Sequence, residues 1–232
     1  MAEPVARSPI AIRGPLRVFR GWEVAASPHH SDVRPGEGRA GGGRAGDGRA
    51  GDVWLTDLSS LGKVVVRAAP GGAVARTLGV RHGRAERHTA GRLVVGSGPG
   101  EWMILSPVGG ARAMIAAVVA DVAATHDDEL VSVIDLTHGR ALIRLTGPAG
   151  PSLVAKLCAI DLSERATPDG TAFRSSVANL VTDVVRDDRA GERSYLLSCE
   201  RSSGQYLFDA LVDAGAELGA GVVAMSDPDE LA

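Results

Sequence analysis

Two stretches of this chain read almost alike, and a repeat constrains a fold more than any single motif. Asp57-Leu-Ser, followed by Gly62-Lys-Val-Val-Val-Arg67, matches Asp135-Leu-Thr, followed by Gly139-Arg-Ala-Leu-Ile-Arg144, with a one-residue gap between Asp and Gly. Further on, Glu101-Trp-Met-Ile-Leu-Ser106 matches Arg193-Ser-Tyr-Leu-Leu-Ser198. Each copy is rich in β-branched residues, which predicts strands. Each also ends in a segment of helical periodicity. Met114, Ile115, Val118, Val119 and Val122 form one stripe over 111–124, and Leu207, Phe208, Leu211 and Ala214 form another over 203–216. Ser202-Ser-Gly-Gln205 reads as a capping box for the second of these helices. Thr146-Gly-Pro148 opens a helix ending near Leu157 or Cys158, its counterpart in the first copy is weakly marked around 71–79, and Phe173 to Arg186 reads as strand. The expected fold class is α+β, a duplicated ferredoxin-like β-α-β-β-α unit.

The globular body is predicted over 53–224. Residues 1–33 form an N-terminal segment with a few apolar residues that can dock on it. Residues 34–52 repeat Gly-Arg-Ala-Gly and have almost nothing to bury, so they read as a flexible linker, and 225–232 as a disordered tail. The linker lacks the interleaved aromatics of a nucleic-acid tail and carries Glu37, Asp47 and Asp52. A net charge of -3 makes no case for a polyanionic partner. Cys158 and Cys199 lie in apolar stretches and read as buried free thiols, which points to a reducing compartment. Arginines scattered through the first twenty residues argue against a secretory leader, and no run approaches the ~18 apolar residues of a membrane span. A soluble, cytoplasmic protein is expected.

The markers of common chemistries are missing. The Gly96-Ser-Gly98-Pro-Gly100 stretch leads into a strand, whereas a phosphate loop must lead into a helix N-terminus, so a hairpin turn is expected. No Walker loop, nucleophile elbow or zinc helix is present. His82 and His88 flank Arg84, Glu86 and Arg87 in a charged loop that disfavours a cation. His29-His30 falls in the N-terminal region, and His126-Asp-Asp-Glu129 at a helix end. His138, in the tight Asp135-Leu-Thr-His-Gly139 passage, admits a general-base reading, against which stands a turn capped by Asp135 or Thr137 with His138 merely exposed. Asp127-Asp128 and Asp187-Asp188 read as turn or loop carboxylates.

Val133-Ile-Asp-Leu-Thr-His-Gly-Arg140, Arg144-Leu-Thr-Gly-Pro148 and Leu157-Cys-Ala-Ile-Asp161-Leu together resemble the gamma-subunit family of heterotetrameric sarcosine oxidase. Arg7-Ser-Pro9, Gly98-Pro-Gly-Glu-Trp102 and Glu200-Arg-Ser-Ser-Gly-Gln-Tyr206 add to the likeness, which covers 53 to about 219. The resemblance implies the folate-binding fold of the glycine-cleavage aminomethyltransferases. It also implies alpha, beta and delta partner subunits, and a complex that oxidatively demethylates sarcosine to glycine, releases hydrogen peroxide and passes the one-carbon unit to tetrahydrofolate. FAD, FMN, NAD, zinc and tetrahydrofolate are then implied in the partners. Folate-dependent relatives use an acidic pair where this chain has Ser175-Ser-Val-Ala-Asn179-Leu, and the Lys-Gly-Cys-Tyr-x-Gly-Gln-Glu signature of related iron-sulfur-assembly proteins is absent. No catalytic, cofactor-binding or metal-binding residue is therefore expected in this chain, whose function lies in packing against a partner. The alternatives are a stand-alone folate-dependent aminomethyltransferase using Asp183 or Asp135 as its acid, and a folate-binding module without turnover. Trp22, Trp54 and Trp102 are interface-anchor candidates, the last two equally core candidates.

Overall fold

A computed structural model describes residues 5–12, 14–26, 52–88, 91–125 and 129–225. The predicted linker up to Gly51, the tail beyond Met225, His29-His30 and His126 to Asp128 lie outside the described residues.

The repeat folds as the sequence predicts, into two sheets with helices on their outer faces. The first copy runs β4 (Trp54–Asp57), β5 (Leu61–Arg67), α1 (Ala73–Leu78), β6 (Ala85–His88), β7 (Arg92–Gly98), β8 (Glu101–Val108) and α2 (Ala111–Thr125). The second runs β9 (Ser132–Asp135), β10 (Arg140–Thr146), α3 (Gly150–Ala155), β11 (Ala172–Val177), β12 (Leu180–Arg186), β13 (Ser194–Glu200) and α4 (Gly204–Gly215), followed by β14 (Gly221–Val223). Preceding both are β1 (Ala6–Arg7), β2 (Leu16–Phe19) and β3 (Trp22–Ala25), which form a small sheet in the order β1-β3-β2.

The copies exchange their first strands. The five-stranded sheet is ordered β6-β7-β8-β5-β9 and the six-stranded sheet β11-β12-β13-β10-β4-β14, so β9 of the second copy completes the first sheet and β4 of the first copy joins the second. Strand alternation then divides the apolar residues between two faces. Val65, Leu93, Val95, Met103 and Leu105 point inward and meet Leu142, Ala172, Val185 and Leu196 of the facing sheet. Their neighbours point outward. Val64, Val66, Val94 and Ile104 pack beneath Val74, Met114 and Val118 of α1 and α2, while Ile143, Leu145, Val184 and Leu197 pack beneath Leu153, Leu207, Phe208 and Leu211 of α3 and α4. Each such side chain contributes about 1.5–3 kcal/mol when fully buried.

Several local expectations are corrected. On α2 only Met114 and Val118 of the described stripe are buried, and Val119 is exposed. The early second-copy helix starts at Gly150 with Pro151, not Pro148, in its first turn. The segment 173–186 is a hairpin, not one strand, because Ala178 and Asn179 both adopt positive φ (50° and 64°) and turn the chain back on itself. Paired left-handed residues make the two-residue turn that matches sheet twist, with Asn and Gly preferred and Ala disfavoured. Replacing Ala178 by Gly should therefore stabilise the protein by about 0.5–1 kcal/mol, read as a raised urea midpoint with an unchanged slope.

No side chain caps α4, because Gln205 is engaged elsewhere. Its Oε1 accepts from the Ala11 amide at 2.7 Å and its Nε2 donates to Asp209. Arg201 Nη2 donates to the Arg7 carbonyl at 2.6 Å and Arg20 Nη1 to the Val108 carbonyl at 3.0 Å, so the small N-terminal sheet is fastened to both copies. Among the described residues no helix is long and apolar enough to cross a membrane.

Candidate functional site: the polar seam between the copies

The Asp-Leu-Ser and Asp-Leu-Thr motifs that reveal the repeat form a reciprocal clasp. Asp57 Oδ1 accepts from the Ser59 amide at 2.9 Å and Asp135 Oδ1 from the Thr137 amide at 2.8 Å, closing two equivalent turns. Each turn then reaches across to the other copy. Ser59 Oγ accepts from the Leu142 amide and Thr137 Oγ1 from the Lys63 amide, both at 3.1 Å, while the Leu58 and Leu136 amides donate to the carbonyls of Leu142 and Lys63. The equivalent of Lys63 is thus Leu142.

Lys63 is fully buried beside this clasp, and its Nζ donates to the carbonyls of Ser59 and Leu61, each at 2.8 Å. Burial lowers its pKa to about 7, against the opposing pull of Asp57 and Asp135. Burial also pushes the Asp57 carboxyl above its ordinary value, a rise that hydrogen bonds from Ser59 and Ser8 and the nearby lysine moderate. His138 next to the clasp is exposed, and its ring stacks on buried Trp22 at 4.8 Å between centroids.

Further along the seam, charged side chains stitch the sheets together. Asp183 is buried, with Oδ2 accepting from Arg140 Nη2 at 2.5 Å and Oδ1 from Arg174 Nε at 2.6 Å. Arg174 also pairs with Glu101, which binds Arg67 at 2.8 Å, so the chain of charges passes from one sheet to the other. Asp187 makes a second bridge, accepting from Arg87 at 2.7 Å and from Arg144 at 3.0 Å.

These positions decide what the acids can do. Asp183 points inward between two guanidinium groups, each of which pairs with one of its oxygens. Asp187, in the loop that follows β12, is likewise a buried bridge. Asp135 is exposed and shapes the turn before His138. The stretch that the resemblance sets against the acid pair of folate-dependent relatives, residues 175–180 around the β11–β12 turn, offers Ser175, Ser176 and Asn179 and no carboxylate. These residues do not fit that role, and no step through folate is assigned to them. His82 and His88 are exposed, and no group of three metal-ligating side chains occurs among the described residues. Cys158 and Cys199 are buried free thiols, with burial pushing Cys199 up to about 11. Trp102 is core, its Nε1 donating to the Val80 carbonyl at 2.6 Å, and Trp54 packs against Gly221. Much of the ion-pair seam was hidden in the sequence because its partners lie far apart, 43 positions in Arg140–Asp183 and 100 in Arg87–Asp187. For Arg140 and Arg144, strand parity with buried Leu142 was the available signal.

Comparison with known proteins fits this architecture. A family model of the GCVT N-terminal domain matches residues 93–228. The gamma subunit of sarcosine oxidase from Corynebacterium sp. (strain P-1) is 30% identical over 180 residues, which cover 74% of this chain and 84% of that one. A solved structure of heterotetrameric sarcosine oxidase from Corynebacterium sp. U-96, in complex with pyrrole 2-carboxylate, matches with a TM-score of 0.63 at 25% identity, over 74% of this chain and 89% of the matched one. The glycine cleavage system aminomethyltransferase T from Bartonella henselae shares the fold, with a TM-score of 0.65 at 15% identity over 94% of this chain and 57% of that one. With this fold and this extent of shared sequence, the chain belongs to the sarcosine oxidase gamma-subunit family.

Proposed function

We propose that this chain is the gamma subunit of a cytoplasmic sarcosine oxidase complex and contributes no catalytic residue to it. Its partners are the alpha, beta and delta subunits, which hold FAD, FMN, NAD and zinc. The complex oxidatively demethylates sarcosine to glycine, with transfer of the one-carbon unit to tetrahydrofolate and release of hydrogen peroxide. The carrying observation is the 30% identity over 84% of a curated gamma subunit, a likeness that spans the body and not one motif. The chemistry of the seam supports it. Asp183 and Asp187 each bridge two arginines, and Lys63 is enclosed, so the charged residues are spent on holding two sheets together. A stand-alone aminomethyltransferase is the second reading, favoured by the shared fold with the Bartonella henselae enzyme, of which this chain spans 57%.

The test is co-expression of the full chain with candidate alpha, beta and delta subunits, followed by size-exclusion chromatography and a peroxide assay with sarcosine. The chain should co-elute with them, and its omission should lower the yield or activity of the complex at least tenfold. A chain that elutes alone, leaves the complex intact when omitted and turns over a folate substrate unaided supports the second reading instead.

A further inference from the structure

The two copies differ most where the first leaves a recess that the second fills. Strand register places Val94 opposite Ile104 and Val184 opposite Leu197, which makes Val94 and Val184 equivalent floors beneath their helices. Over Val184 the second copy packs Phe173, Tyr195, Phe208 and Leu211. Over Val94 the first copy has a cavity of about 170 Å³, walled by Val74, Leu78, Ile104 and Val118, with Thr77, His88, Arg92 and Asp121 around it. Val74, Val94, Ile104 and Val118 are buried, whereas His88 and Asp121 are exposed, so an apolar floor meets a charged mouth.

The mouth is a point of departure between the copies as well. His88 and Arg92 are direct cross-strand neighbours on the helix-covered face. Their equivalents are Ser175 and Thr182, also a cross-strand pair, small and neutral in a closed core, where Thr182 Oγ1 donates to the Leu180 carbonyl and Ser175 Oγ lies 3.8 Å from Cys158 Sγ. The first copy thus places an imidazole and a guanidinium on one side of an open apolar recess and a carboxylate, on α2, on another. Such a lining suits a ligand that carries both charges beside an apolar group.

We propose that this recess binds a small zwitterion with an apolar side chain, of the α-amino-acid class. The carboxylate of the ligand meets Arg92 and His88, its ammonium meets Asp121, and its side chain enters over Val94 and Val118. At roughly 30 Å³ per water-sized group, the cavity holds on the order of six heavy atoms, so a branched aliphatic side chain with its α-carbon is near the upper size. This site shares no residue with the seam.

The full chain, purified alone or in whatever complex it forms, would be titrated with L-valine and L-leucine by calorimetry and thermal denaturation. Isovalerate, which lacks the ammonium, and isopentylamine, which lacks the carboxylate, serve as controls. A hundredfold excess over Kd should raise Tm by about 5–10 °C, and each control should bind at least tenfold more weakly. Arg92→Gln and His88→Ala lie at the surface and should fold normally yet lose at least tenfold in affinity, and Val118→Phe should fill the recess and abolish binding. Absence of heat and of a Tm shift at millimolar amino acid overturns the proposal, as does unchanged affinity in Arg92→Gln and His88→Ala. Equal binding of isovalerate overturns the assignment to a zwitterion.

Discussion

Asp183→Ala should cost about 3–5 kcal/mol of folding stability, because it removes the carboxylate that largely buried Arg140 shares with exposed Arg174, which keeps Glu101. For a chain of this length that corresponds to a fall in Tm of about 6–20 °C, enough to unfold a domain whose total stability is about 5–15 kcal/mol. Arg140 suffers most: its side chain is 11% exposed and retains only Glu200, Ser198 Oγ and the Ser198 carbonyl. Asp183→Asn keeps the shape and removes the charge, and should recover a part of the loss through one neutral hydrogen bond. Asp135→Ala, at an exposed turn, should cost only about 1 kcal/mol. Urea denaturation of the three variants separates a structural carboxylate from a catalytic one. If Asp183→Ala keeps its midpoint while a folate-dependent activity disappears, Asp183 is an acid and the subunit reading loses its main chemical support.

The duplicated fold was legible because its signal is a repeated pattern, and patterns survive where individual contacts do not show. The register of the repeat was another matter. Matching Lys63 to Arg140 looked natural, but the clasp makes Lys63 equivalent to Leu142, a slip of two residues. A two-residue slip keeps every side chain on the same face of a strand, so hydrophobic alternation cannot detect it. The last strands differ by one. Trp102 lies opposite Val66 and Tyr195 opposite Leu145, which pairs the two aromatics, whereas the sequence match had set Trp102 against Ser194. The exchange of β4 and β9 between sheets was invisible for a different reason: a strand pattern says that a segment pairs, not with which neighbour.

The seam shows the same limit in electrostatic form. Asp183, read in an alternating strand, had even odds of facing either way, and its inward placement follows only from the two arginines that neutralise it. Arg174 faces it across the β11–β12 hairpin, which was read as one strand, and Arg140 comes from β10, which no local pattern links to β12. Gln205 illustrates how tertiary contacts override a local rule. Its spacing from Ser202 suited a capping box, yet the Ala11 amide of the N-terminal segment takes its side chain instead. His138 was correctly placed in a tight exposed turn, but its stacking partner Trp22 lies more than a hundred positions away in the sequence.

Raising the pH from 7 to 9 should stabilise this protein by about 2–3 kcal/mol, and Lys63→Met should remove that gain. The sign follows from where Lys63 holds its proton. Its folded pKa is about 7, against an ordinary value of 10.5, so between these values the unfolded chain binds a proton that the native state has released. Stability then grows with pH at about 1.36 kcal/mol per unit across this window, and the contribution is lost as pH falls toward 7. The opposite trend sets in higher up. Cys199, pushed by burial from 9.0 to about 11, keeps its proton in the native state after the unfolded chain has lost it, so stability falls between these values. The rise therefore slackens above pH 9, and a maximum near pH 10 is expected, where the two trends cancel. Asp57, raised by burial, acts at the acidic end, where its native state holds a proton longer than the unfolded chain and stability declines as pH rises through its window. Lys63→Met leaves the carbonyls of Ser59 and Leu61 without their donor, so its stability at pH 9 should lie below that of the parent, while the slope from 7 to 9 flattens. Urea midpoints of parent and variant at pH 7, 8 and 9 provide the measurement. A flat parent profile would show that Lys63 stays charged in the seam, held by Asp57 and the nearby Asp135, and a slope that survives in the variant would show that it does not come from Lys63.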